Sequence, residues 1–316
     1  MFGYPAYTSI CLMFFCISST AHSCILDQLL QGWLTDPIGR RMDTLWWLLE
    51  ESTPYGVLLL NNLIFLLLRK IVSIFVKESF MKTRVALAEF IATWELCADV
   101  AELGIVYERH GVFAYTLLLL LWCLWWGKHF GDAEACPNGP VEDFLFSYGK
   151  GDYRQRLLGQ IIGATITGIY IQQIWSLHLI KEHKIMSTEE CQSSLMTTVG
   201  WGFLMEASIS CISRFFILRS QYWSEKLSLW INSVVTVILC LVGLHSTGGY
   251  FNGILASALM FGCGPHGHFE HIAVYWLGNL FGGFFARYLN YKLDCFIDRI
   301  CTPETILNPD EKPKQE

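Results

Sequence analysis

Seven stretches of this chain, near 55–76, 85–106, 112–130, 154–177, 193–217, 227–247 and 270–291, are each long and apolar enough to cross a bilayer as a helix. A span needs about 20 mostly apolar residues, because the hydrocarbon core offers the backbone no water to hydrogen-bond. Composition agrees: 53% of the 316 residues are hydrophobic and 16% charged, whereas soluble domains carry about 25% charged residues. The expected class is an all-α, multi-pass membrane protein.

The formal charge of −6 comes without any run of Lys and Arg, so nucleic acid is excluded as a partner. No Gly-rich phosphate loop, nucleophile elbow or zinc-protease helix is present, so neither an enzyme nor a cofactor is expected. Cys97, Cys123, Cys211 and Cys240 lie inside apolar segments and read as small buried hydrophobes. Met1 to Cys24 carries an apolar run followed by small residues but lacks a positive n-region. A cleaved signal, an interfacial helix and a loose tail all fit that segment.

Basic residues of short loops mark the cytoplasmic side. The 69–84 loop holds Arg69, Lys70, Lys77, Lys82 and Arg84; the 148–156 and 214–226 loops and the tail after Arg287 fall on the same side. The 102–112 loop offers only Arg109, and the 178–192 loop balances two lysines with three glutamates. The domain plan is an N-terminal segment over 1–54, a transmembrane domain over 55–292, and a cytosolic, disordered tail over 293–316.

The transmembrane part repeats itself, over about 85–177 and 193–292. Glu89 lies four residues before Thr93, and Glu206 four residues before Ser210. From Glu89 to Cys136 is 47 residues and from Glu206 to Asn252 is 46, each interval ending in a Gly/Pro/Asn break. A short apolar piece follows each break (140–148 and 252–262), then a span with Gly159-x-x-x-Gly163 or Gly278-x-x-x-Gly282. Small-xxx-small faces let helices approach closely. A carboxylate inside a span costs about 2.5–3.5 kcal/mol and so needs partners. Glu89 and Glu206 are expected to accept hydrogen bonds from two re-entrant loops whose backbone must be satisfied internally. The competing role is a proton relay.

The runs AEFIATWELC (88–97), GQIIGA (159–164), FNGILASALMFGC (251–263) and VYWLGNLFGG (274–283) resemble aquaporins, and most of all the unorthodox aquaporin-11 and aquaporin-12 group. Cys263, eleven residues after Asn252, and the extra apolar segment ahead of the Glu89 span favour that subfamily. The resemblance implies a right-handed bundle of six spans plus two re-entrant half-helices, an extra N-terminal span, and a homotetramer embedded in lipid. It also implies a passive channel for water or small neutral solutes such as glycerol or hydrogen peroxide. The membrane would be intracellular, the endoplasmic reticulum or another organelle, with the plasma membrane as the other location weighed.

In that superfamily two Asn-Pro-Ala motifs start the half-helices and aim their free N–H groups at the pore. Here the first reads Cys136-Pro137-Asn138 and the second Asn252-Gly253-Ile254. The superfamily's filter arginine is replaced by Leu255, which with Gly249 is expected near the outer constriction. A non-conducting protein with a structural or assembly role is the rival reading.

Four further constellations carry expectations. Cys263, His266, His268 and His271 are a weak metal candidate. Glu95, Asp99 and Glu102 form an i, i+4, i+7 stripe expected to face a luminal vestibule. Glu142 and Asp143 are expected to complement the dipole of the first half-helix. Trp122, Trp125 and Trp126, with Trp46 and Trp47, are expected in an aromatic belt.

Overall fold

The computed structural model describes residues 39–146 and 151–301. The signal-like segment 1–24, Lys150 and the polar tail from Pro303 lie outside the described residues. The chain divides into two compact units, Met1–Thr53 and Pro54–Glu316. The described part of the first is helical and exposes Trp46 and Trp47.

All regular structure among the described residues is helical. Helix α1 is Gly39–Phe75, α2 Met81–His129, α3 Asn138–Phe146, α4 Tyr153–Trp175, α5 Lys181–Thr188, α6 Val199–Arg219, α7 Glu225–Gly243, α8 Gly253–Met260 and α9 His268–His271. A π-helical stretch, Ile272–Gly278, carries α9 into α10, Asn279–Cys301. Five segments are long and apolar enough to cross a membrane: Asp43–Phe75, Glu78–His129, Tyr153–Trp175, Val199–Tyr222 and Glu225–Gly243. The protein is therefore an integral membrane protein, and its exposed leucines, isoleucines and phenylalanines are the surface a bilayer would cover.

Several boundaries differ from the sequence-based expectation. The spans expected at 85–106 and 112–130 join in α2, broken at Gly111, whose φ of 79° and ψ of 178° interrupt the helix. Without a Cβ, glycine takes that conformation at little cost. The 178–192 loop contains its own helix, α5, and α6 begins at Val199 rather than 193. Helix α10 continues to Cys301, beyond the boundary expected at 292.

Two helix pairs pack closely through glycines. A Cβ on Gly163 would stand 2.6 Å from the Phe90 carbonyl, and one on Gly159 would strike the Ala86 carbonyl, so α4 lies directly on α2. A Cβ on Gly278 would stand 3.1 Å from the Phe203 carbonyl, and one on Gly282 would strike that of Ala207, so α10 lies on α6 in the same manner.

Glu95, Asp99 and Glu102 do not open into a vestibule. All three are buried, turned toward α1, the second arm of α2, α4 and α5. Glu95 pairs with Arg69 of α1 and accepts from Trp125 Nε1 at 2.9 Å. Asp99 accepts from Asn61 Nδ2 at 3.1 Å and from Trp126 Nε1 at 3.2 Å. Glu102 accepts from Trp175 Nε1 at 3.2 Å and meets His183 Nε2 at 2.9 Å. Tyr170 of α4 completes the cluster, donating to Asn61 Oδ1 at 2.6 Å.

The expected aromatic belt is corrected by the same contacts. Trp125 and Trp126 donate inward to carboxylates, and Trp122 is buried. Buried charge is tolerated when its lone pairs are filled, and indole N–H groups fill them here. The Arg69→Ala variant should leave Glu95 buried and unpaired, at a cost of about 3–5 kcal/mol. Thermal unfolding in detergent checks this: a midpoint equal to wild type would mean that α1 is not held by the pair.

The candidate pore and its bracing carboxylates

Two short helices, α3 and α8, are each entered by an irregular loop, and one buried glutamate holds each loop. Glu89 Oε1 accepts from Glu134 N at 3.0 Å and Oε2 from Ala135 N at 3.0 Å. Gln160 Nε2 donates to Glu89 Oε2 at 3.0 Å, and Arg156 forms an ion pair with Oε1. At the loop before α8, Glu206 Oε1 accepts from Thr247 Oγ1 at 2.6 Å and Tyr250 N at 3.2 Å, while Oε2 accepts from Phe251 N at 2.7 Å. The residues entering the two short helices, Ala135 and Phe251, both have positive φ, 49° and 32°. Non-glycine residues hold such angles only where surrounding structure fixes them. The paired N–H bonds to each glutamate supply that constraint.

Asn252 joins the two loops. Its Oδ1 accepts from Ile254 N at 3.2 Å and Leu255 N at 3.3 Å, capping α8, and its Nδ2 donates to the Ala135 carbonyl at 2.7 Å. An asparagine N-cap satisfies N–H groups that the helix start leaves free. Gly253 must be small: a Cβ there would stand 2.7 Å from the Tyr275 carbonyl.

The first motif is arranged differently. Cys136 accepts through its carbonyl from Gln160 Nε2 at 3.0 Å, and the Pro137 carbonyl opens α3 by accepting from Val141 N at 3.0 Å. Asn138 is turned to α10, with Nδ2 3.4 Å from the Asn279 carbonyl and a buried Oδ1 that has no hydrogen-bond partner among the described residues. Asn279 in turn accepts from Ser210 Oγ at 2.8 Å. Leu255 and Ile254 are buried, and Gly249 packs on the Cys240 main chain at the end of α7.

Glu142 is not a dipole partner. It lies beyond the first turn of α3, buried, and holds Arg214 with two bonds, Nε to Oε1 at 3.0 Å and a second nitrogen to Oε2 at 2.6 Å, with Arg287 at 3.3 Å. The bidentate fork ties α3 to α6, and the single bond from Arg287 ties it to α10. Asp143, by contrast, is exposed.

No family model matches the chain. It is 28% identical over 218 residues to aquaporin-11 of Milnesium tardigradum, an overlap of 68% of this chain and 78% of the relative. It is 28% identical over 193 residues to aquaporin-11 of Mus musculus, 60% of this chain and 71% of that one. Putative aquaporin-12A of Homo sapiens is 27% identical over 197 residues, 60% of this chain and 65% of the relative. The chain is aquaporin-11/12-like.

In this aquaporin-like chain Cys263 is not a free thiol. It forms a disulfide with Cys191, joining the loop before α6 to the loop after α8 across 72 positions. Nothing in the sequence singled out Cys191, which stands in a polar stretch far from the motifs. The nearby histidines, the weak metal candidates, have protein partners. His266 pairs with the Leu195 carbonyl and Glu270, His271 with Ser257 Oγ at 3.0 Å, and His268 packs edge-on to Phe261. No group of ligands that could hold a metal occurs among the described residues. Closing so long a loop contributes roughly 4 kcal/mol on the chain-entropy account. The double variant Cys191→Ser, Cys263→Ser should therefore unfold at lower temperature and lose the sensitivity to reductant that wild type shows.

Other partners also escaped the sequence reading. Arg156 and Gln160 at Glu89, Thr247 at Glu206 and Arg214 at Glu142 are all contacts between residues far apart in the sequence. The Glu89–Gln160 pair alone had a signal, since Gln160 stands inside the GQIIGA run.

Proposed function

We propose that the protein is a passive channel for water and small neutral solutes, glycerol and hydrogen peroxide among them. The observation that carries this is the matched pair of glutamate-braced loops, which start two short helices at one place and tie them through Asn252 Nδ2 and the Ala135 carbonyl. Helix starts carry a partial positive charge and free donors, which favour passing oxygens and oppose cations. The curated relatives carry the name aquaporin.

On this reading α2 supplies two spans meeting at Gly111, and the run from α9 through α10 supplies the last. With α4, α6 and α7 these make six spans, α3 and α8 being re-entrant and α1 an extra crossing. The transmembrane domain is 55–292 with repeats at 85–177 and 193–292. The pathway runs past Cys136, Pro137, Asn138, Asn252, Gly253 and Ile254, with Gly249 and Leu255 at its outer constriction.

The basic loops face the cytosol, which puts Cys191 and Cys263 on the opposite, oxidising side, where disulfides persist. The membrane is an intracellular one, and the assembly a homotetramer in lipid. Stopped-flow light scattering on proteoliposomes tests the reading with water, glycerol and peroxide. Rates above those of empty liposomes for at least one solute are expected; equal rates for all three would leave a structural or assembly role.

A further inference from the structure

The middle of α1, VLLLNNLIFLLL over 57–68, interrupts its leucines with two asparagines of opposite fate. Asn61 is fully engaged: Nδ2 donates to Asp99 and Oδ1 accepts from Tyr170. Asn62 is also buried, at 6% exposure, but its Oδ1 has no hydrogen-bond partner among the described residues. A buried acceptor left unpaired is costly. Leucines stand all around it, so packing alone does not call for an amide there.

Asn62 lines a groove of about 440 Å³ between α1 and the second arm of α2. Leu59 and Leu63 of α1 form one wall, and Leu121, Trp122 and Trp125 of α2 the other. The volume falls within the range of about 300–1,000 Å³ usual for small-molecule sites. Leu59, Leu63 and Leu121 are exposed, so the groove opens on the surface that a bilayer would cover. Trp125 gives its N–H to Glu95, and Trp122 turns its own toward Asp99. The indoles thus offer the groove their rings, and the Asn62 amide is its polar feature.

Depth narrows what fits. Asn62 lies roughly three to four residues from the centre of the 55–76 stretch, about 5 Å along the helix. Phosphate and ammonium headgroups are held at the interface by the cost of burying charge. A single uncharged hydroxyl is not so confined, and it supplies the donor that Asn62 Oδ1 lacks. A rigid apolar body loses little conformational freedom on settling against leucines and indole faces.

We propose that this groove is a sterol site, in which the sterol body lies along α1 and α2 and its hydroxyl donates to Asn62 Oδ1. The inference depends on membrane embedding and not on whether the pathway conducts.

Purified full-length protein in detergent, irradiated with a cholesterol analogue whose diazirine stands away from its hydroxyl and then mapped by peptide mass spectrometry, tests this. Saturable labelling should fall on the peptides that carry residues 59–66 and 121–125. Unlabelled cholesterol should compete and phosphatidylcholine should not. The ketone analogue, which cannot donate, should compete roughly two- to tenfold less well, the ratio expected of one hydrogen bond. Asn62→Leu should weaken saturation by a similar factor, and Leu121→Trp, which fills the groove, should abolish it. Labelling that does not saturate, falls elsewhere or yields equally to phosphatidylcholine overturns the inference and leaves the channel reading untouched. Equal competition by the ketone, or an Asn62→Leu variant labelled like wild type, overturns it too. Disulfide crosslinking of two Asn62→Cys copies would make the groove an interface between copies and overturn it likewise. Where a variant does not stay monodisperse, the ketone competition on wild type decides.

Discussion

Glu89→Ala is expected to lower the thermal unfolding midpoint in detergent by roughly 10 °C and to reduce the monodisperse yield sharply. The side chain removed is wholly buried and receives two main-chain N–H groups, Gln160 and Arg156. Its loss leaves Arg156 without the carboxylate it pairs with and frees a loop held at positive φ at Ala135. Breaking one side of a buried ion pair costs about 3–5 kcal/mol, and each N–H left unsatisfied adds about 1–3 kcal/mol unless water enters. Glu206→Ala should cost less, because Glu206 braces its loop with neutral donors alone. Differential scanning fluorimetry on both variants checks the order. A smaller loss at Glu89 than at Glu206 would mean that the Arg156 pair contributes nothing.

Gly282→Ala should be as damaging as a far larger change elsewhere. The added methyl would strike the Ala207 carbonyl and stand 2.9 Å from Ser210 Cβ, so α10 must move off α6. Main chain cannot yield as a flexible side chain can, and overpacking typically costs about 1–3 kcal/mol, occasionally more. Gly168 on α4 offers the control, since an added Cβ there meets nothing within 4 Å. Gly168→Ala should stabilise by about 0.5–1 kcal/mol through helix propensity. Opposite signs for the same substitution on two spans are the expected result. Equal tolerance would show that the glycine face of α10 does not carry the packing.

The sequence announces what is periodic or local. Most spans declare themselves by length, although the stretch expected at 270–291 is not among the five apolar helices long enough to cross a membrane, and the two carboxylate-to-break intervals are legible because both lengths are counted along the chain. The glycine pairs at 159/163 and 278/282 are legible for the same reason: i, i+4 fixes a face without reference to any partner.

What the sequence does not carry is the rotation of one helix against another. The spacing of Glu95, Asp99 and Glu102 puts them on one face but not toward solvent or toward protein. Helix α1, with Asn61 and Arg69, turns that face into an interior. Trp125 and Trp126 are at a span end, where a belt and an inward donor look identical until the acceptor is located. Cys191 and Cys263 stand 72 positions apart, and only folded geometry makes them neighbours. Glu142 fits the preference for acids near a helix start, yet two arginines from separate spans claim it.

The account stands most directly on whether solute passes where the two braced loops meet. Water permeability of proteoliposomes should be compared for wild type and for Leu255→Trp, which adds bulk one turn into α8 beside the expected constriction. Wild-type vesicles should shrink faster than empty ones, and the variant, reconstituted at equal density, should return to the empty-vesicle rate. Wild-type shrinkage no faster than that of empty vesicles, or an undiminished rate in the tryptophan variant, would contradict a pathway through that point.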